Sequence, residues 1–142
     1  MRTVFADAAY WIAMLNPEDE RSEAATEVTR ELGDIHFVTT QEVLTELLNF
    51  FAPYGPPVRR QAADAIREIL TAPNVTVIAQ TPESFLAGLD AYDDTGDEGH
   101  DLTDCISIST MRQEGIEEVL TTDARFAKAG FRVLMVGGTP EG

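Results

Sequence analysis

Apolar positions along the chain follow two rhythms. Short continuous runs such as Val4-Phe5-Ala6, Ile35-His36-Phe37-Val38, Val75-Thr76-Val77-Ile78 and Val119-Leu120-Thr121 are rich in β-branched and aromatic residues. With Phe131-Arg132-Val133-Leu134-Met135 they predict five strands, near 2–6, 35–38, 74–78, 119–121 and 131–135. Between them, apolar residues recur at helical spacing. A short buried helix is expected over 8–15, and a second runs from Pro17 to Leu32, with Glu18, Asp19 and Glu20 near its positive end and Gly33 as its stop. Thr39 or Thr40 caps a third, which carries Val43, Leu44, Leu47, Leu48, Phe50 and Phe51. The breaker Pro53-Tyr54-Gly55-Pro56-Pro57 precedes a polar helix over 58–70. Further helices are expected from Thr81-Pro82 to Tyr92, over 102–114 before Gly115, and over 123–129 before Gly130. Strands that are apolar throughout and alternate with helices mean an α/β fold, a parallel sheet covered on both faces. No repeat or linker divides the chain, so residues 1–136 read as a single domain and 137–142 as a flexible C-terminal tail.

Composition narrows the class. The chain has 142 residues and is 44% hydrophobic, enough for one packed core. No apolar run approaches the roughly 20 residues of a membrane helix. The apolar start is too short for a secretory signal, since Asp7 follows at once, so a cytoplasmic protein with no membrane association is expected. Cys105 is the only cysteine; it has no disulfide partner and no zinc-ligand spacing, and a buried apolar thiol is favoured over a nucleophile paired with His36 or His100. The net charge of -15 argues against broad electrostatic attraction to nucleic acid. Positive charge concentrates locally only at Arg59, Arg60 and Arg67, a solvated helix face or an RNA contact. The acid-dense stretch 93–101 lacks the EF-hand order of ligands and reads as a solvated loop.

Open parallel sheets bind ligands beyond the carboxyl ends of their strands. Asp7 follows the first strand and Asp123 the fourth; Asp104 opens a helix beside them, and Glu46 lies in the helix after the second strand. These four acids can converge at one sheet edge. Crowded carboxylates repel one another, and a hard cation such as magnesium or manganese relieves the repulsion. Each acid also has a plain structural role open to it. Asp7, Asp104 and Asp123 can cap or favour helix N-termini, and Glu46 can be surface charge. Asp101, one turn before Asp104, is either a further acid of the cluster or a cap. No G-x-S-x-G or phosphate-binding loop offers a rival chemistry.

The stretches Phe5-Ala6-Asp7-Ala8-Ala9-Tyr10-Trp11-Ile12-Ala13, Val43-Leu44-Thr45-Glu46-Leu47, Leu102-Thr103-Asp104-Cys105-Ile106-Ser107 and Val119-Leu120-Thr121-Thr122-Asp123-Ala124-Arg125-Phe126 resemble, in this order, the PIN-domain family. The similarity is greatest to the toxin-like branch of toxin–antitoxin modules, the VapC-like proteins. The resemblance implies a three-layer α/β/α sandwich with a five-stranded parallel sheet. It implies a Mg2+- or Mn2+-dependent endoribonuclease that hydrolyses RNA phosphodiester bonds with a metal-activated water. Catalytic and metal-binding roles fall on Asp7, Glu46, Asp104 and Asp123, and a supporting hydroxyl on Thr122. RNA, a small antitoxin and a second copy of the chain are the implied partners, with Arg59, Arg60 and Arg125 as possible RNA contacts and the apolar surface near Trp11 and Phe50 as an interface.

Ala8 and Ala9 depart from the family, whose members often carry a hydroxyl there. With the acidic charge, they motivate an alternative: a catalytically weak or inactive PIN-like protein-binding module. A phospho-acceptor signalling domain also places acids at strand ends, but it needs paired acids after its first strand and a lysine near its end. Here Asp7 stands alone, and the only lysine, Lys128, falls on a helix.

Overall fold

The computed structural model describes residues 1–95 and 99–135. The expected C-terminal tail, and residues 96–98 of the acidic stretch, lie outside the described residues. Five strands, β1 (Arg2–Ala6), β2 (Ile35–Thr40), β3 (Val75–Ile78), β4 (Glu118–Leu120) and β5 (Arg132–Val133), form one all-parallel sheet in the order β3-β2-β1-β4-β5. The helices are α1 (Ala8–Leu15), α2 (Ser22–Leu32), α3 (Gln41–Phe51), α4 (Pro56–Thr71), α5 (Pro82–Thr95), α6 (Leu102–Glu114) and α7 (Arg125–Lys128). The architecture is the expected three-layer α/β/α sandwich.

The strand order explains where a ligand can enter. From β1 the chain steps outward to β2 and β3, then crosses back to β4 and β5. Right-handed connections put the helices of the first half on one face and those of the second on the other. The direction reverses beside β1, so a crevice opens beyond the carboxyl ends of β1 and β4. The register Phe5 to Val119 and Ala6 to Leu120 fixes those two ends side by side. Beyond the ladder, the Asp7 N–H donates to the Leu120 carbonyl at 3.2 Å.

The central strands are buried on both faces. Val4, Phe5, Ala6, Val119 and Leu120 are wholly inaccessible, and Leu47, Met111 and Phe126 close the layers above and below them. Trp11 on α1 packs against Tyr10 and Phe37, with ring centroids 5.2 and 5.8 Å away. Gly88 on α5 has no room for a side chain: a Cβ there would stand 2.3 Å from Ile106 Cγ1 of α6.

Local chemistry sets the boundaries. Thr40 caps α3, its hydroxyl accepting from the Val43 N–H at 3.1 Å; Thr39 instead donates to the Ala6 carbonyl at 2.9 Å. α2 starts at Ser22, not at Pro17 as expected. Asp19 is the reason: its carboxylate accepts the Arg21 N–H at 2.8 Å and both prongs of the Arg21 guanidinium at 2.9 Å. Side-chain bonds of this kind offer the backbone a turn in place of a helix. The Asp123 carboxylate likewise takes the Arg125 N–H at 2.9 Å, and α7 begins only after it. Of the stretch 93–101, residues 93–95 continue α5.

Candidate metal centre

Asp7 ends β1 and begins α1, with the extended backbone of an N-cap. Its side chain does no capping. The Asp7 Oδ2 instead accepts from the buried Thr121 hydroxyl at 2.9 Å, and the same hydroxyl accepts the Asp123 N–H at 3.2 Å. Thr121 therefore couples the ends of β1 and β4. It is one residue earlier than the supporting hydroxyl inferred from the sequence; Thr122 lines the same recess.

Asp104 sits in the first turn of α6. Asp101 is the N-cap: its Oδ1 accepts the Asp104 N–H at 2.8 Å, and Asp104 Oδ2 accepts the Asp101 N–H at 3.3 Å, a reciprocal capping box. Capping and a place in the recess thus coexist in these two acids. Glu46, half-buried on α3, reaches the recess from the other side. The four acids expected from the sequence, Asp7, Glu46, Asp104 and Asp123, line one recess of about 340 Å³ together with Asp101, Thr121 and Arg125.

Electrostatics divides them. Burial pushes Asp7 above the usual carboxylate range, against the lowering effect of the Thr121 hydroxyl and the Ala8 N–H. Burial, with Asp7 and Asp101 nearby, pushes Glu46 up to about 7. Burial also raises Asp104 to about 7, aided by Asp101 and Asp7 and opposed by the Asp101 N–H and Arg125. Asp123 goes the other way: burial pushes it up, but hydrogen bonds and charge from Arg125 outweigh that and hold it low. The Arg125 guanidinium grips it with Nε at 3.0 Å from Oδ1 and Nη2 at 2.6 Å from Oδ2. Three acids are therefore short of counter-charge, and one already has it.

A hard cation fits these donors in kind. All are oxygens, and placing a divalent charge among them removes the mutual repulsion that lifts their pKa values. Among the described residues no three His, Cys, Asp or Glu side chains close into a cage. Magnesium needs none, since it takes one or two carboxylates directly and keeps several waters.

Other residues fall elsewhere. Arg59 and Arg60 are exposed on α4 outside the recess, and Arg59 Nη1 donates to the Ala52 carbonyl at 2.9 Å. Arg125, expected as an RNA contact, is turned onto the acids. Arg21, unremarked in the sequence, lines the recess but is held by Asp19. His100, buried against Phe126, puts Nδ1 3.8 Å from Asp104 Oδ2, too far for a hydrogen bond. A larger cavity of about 790 Å³ lies between α5, α6 and α7, yet its lining carries one acid, Asp94, and gathers no comparable cluster.

Comparison with known proteins agrees with this fold. No curated protein matches the chain in sequence. The fold is similar to that of VapC20 of Mycobacterium tuberculosis, described as a sarcin-ricin loop cleaving toxin, with a TM-score of 0.82 and 22% identity over 94% of this chain and 99% of that one. The family model of the PIN domain matches residues 4–132. With its sheet order, its acid recess and that match, the chain belongs to the PIN-domain family.

Proposed function

We propose that this protein is a Mg2+- or Mn2+-dependent endoribonuclease and the toxin of a toxin–antitoxin module. The observation that carries the reading is the convergence of Asp7, Glu46, Asp104 and Asp123, from four separate parts of the chain, on one recess at the sheet's switch point. Family membership supports it, and the likeness to VapC20 suggests structured RNA as substrate.

Asp7, Asp104 and Glu46 would hold the ion, and Asp123 adjoins them. When bound, the ion supplies an acidified water and neutralises charge on the phosphate oxygens. The chain's own residues prepare that site. Thr121 fixes one oxygen of Asp7, whose side chain lines the recess. The capping box fixes Asp104 against the start of α6, where the helix's positive end favours the ionised carboxylate. A small antitoxin and a second copy of the chain are the partners proposed with this reading, and the cytoplasm its compartment. None of the helices in the described residues is long and apolar enough to cross a membrane.

The test is cleavage of an RNA panel that includes a sarcin–ricin stem–loop, with Mn2+ and with excess EDTA, by the parent and by Asp104→Asn. Metal-dependent cutting that disappears in the variant is expected; an unchanged rate in EDTA sinks the reading. Ala8 and Ala9, which line the recess without a hydroxyl, favour the protein-binding module as the second reading. A folded parent that binds a partner protein, takes up no Mn2+ by calorimetry and cuts no RNA would favour it; tight Mn2+ binding would oppose it.

A further inference from the structure

We infer that Arg125 is the site's resident cation: it occupies Asp123, and a divalent ion gains that carboxylate only by displacing the guanidinium. The inference rests on the metal-site reading above. One guanidinium serves three partners at the recess. Nε and Nη2 fork onto the two oxygens of Asp123, Nη2 stands 3.8 Å from Asp104 Oδ2, and Nη1 donates to the Gly99 carbonyl. The Arg125 backbone N–H adds a further bond to Asp123 Oδ1 at 2.9 Å.

The surroundings are shaped for this pose. Gly99 adopts φ +75°, which side-chain-bearing residues rarely take, and a Cβ there would meet Arg125 Nη1 at 3.2 Å. The other lining arginine, Arg21, is committed to Asp19, so Arg125 is the cation placed on the acids among the described residues. Its exit is open as well. The side chain is 42% exposed, whereas Phe126 beside it is wholly buried and anchors α7. Arg125 can therefore leave without uncovering the core. Asp123 Oδ1 already accepts the Arg125 N–H and Nε, and Oδ2 accepts Nη2 and, at 3.1 Å, Nε, so a small dication reaching this carboxylate competes with the guanidinium for the same lone pairs. The guanidinium becomes available to an RNA phosphate only after that displacement.

The experiment is Mn2+ titration calorimetry on the full chain, with thermal melts in the absence of metal and at saturation. The competition has the strength of a half-exposed ion pair, so Arg125→Gln is expected to bind Mn2+ about fivefold more tightly than the parent. Arg125→Lys, which keeps the charge but loses the fork, falls between. Without metal, Arg125→Gln melts below the parent, yet it gains more on saturation with Mn2+. In an Asp123→Asn background, Arg125→Gln no longer changes the affinity. Equal or weaker Mn2+ binding by a folded Arg125→Gln overturns the inference and leaves the metal site standing. No uptake by parent and variants alike removes both.

Discussion

At the amino end of the sheet, Glu118 at the start of β4 receives Arg2 from the start of β1 at 2.8 and 2.9 Å, and Arg132 from the start of β5 at 3.3 Å. The Arg2 hydrogen bonds hold its carboxyl below the usual range despite some burial, and the charges of Arg2 and Arg132 add to the effect. At the carboxyl end of the same strands, Asp7, Glu46 and Asp104 share a recess with Asp101 and Asp123; of the two guanidiniums that line it, Arg21 is committed to Asp19 outside the cluster and Arg125 is turned onto the acids. One end turns two cations onto Glu118; at the other, five acids line a recess in which, among the described residues, Arg125 alone is turned onto them. An acidic composition alone does not produce that contrast, because the balanced end belongs to the same chain. The imbalance is local, and it sits where the strand order opens a crevice.

The contrast can be broken from either end. The largest effect is expected from Glu46→Gln. Groups that only support a metal's ligands already cost about 10–100-fold when lost, so removing a proposed ligand should lower RNA cleavage by about a hundredfold or more. Removing a crowded, half-buried charge should at the same time raise the melting temperature of the metal-free protein near pH 8. An unchanged cleavage rate would show that the recess is not the active centre. Next, Thr121→Val removes the hydroxyl bonded to Asp7 and should weaken Mn2+ binding about tenfold by calorimetry. Thr122→Val should have the smaller effect; the reverse order would return the supporting role to Thr122.

A pH series sharpens the comparison further. Glu46 and Asp104 keep their protons to about 7 in the folded chain, whereas the unfolded values are about 4. Between those limits the native state binds more protons than the unfolded chain, so the stability of the metal-free protein falls as pH rises. Melting temperatures near pH 6 should exceed those near pH 8, and saturating Mn2+ should reduce the difference. A flat metal-free profile would mean that the acids are not in conflict. The smallest effect belongs to Glu118→Gln at the balanced end. Exposed ion pairs contribute little, so a slight drop in melting temperature with unaltered Mn2+ affinity is expected. A changed affinity would show that the two ends communicate.

Much of this was legible in the residues. Continuous apolar runs located the five strands, most plainly the central β1, β2 and β4, where burial on both faces leaves no alternation to read, and the acids stood out because each follows or faces a strand end. What escaped the sequence depends on side-chain direction. Thr121 and Thr122 are equivalent as letters; only the end of β4 at Leu120 decides which hydroxyl meets Asp7. Arg125 reads as a cation near a substrate, yet a spacing of two residues lets it fold back onto Asp123. Asp19 escaped for the same reason: its bond to Arg21 turned the expected first turn of α2 into a loop. The sequence offered Arg59 and Arg60 as RNA contacts through local charge density alone, and that density carries no information about distance from the acids.

Trp11 is the chain's single tryptophan, and its backbone N–H donates to the carbonyl of Asp7 at 3.4 Å. An intrinsic fluorophore is thus tethered, through one turn of helix, to the first acid of the recess and packed against two other aromatic rings. Its emission reads α1 without background from any second indole. Unfolding and ion uptake can both be followed on the unlabelled protein, from the same optical window.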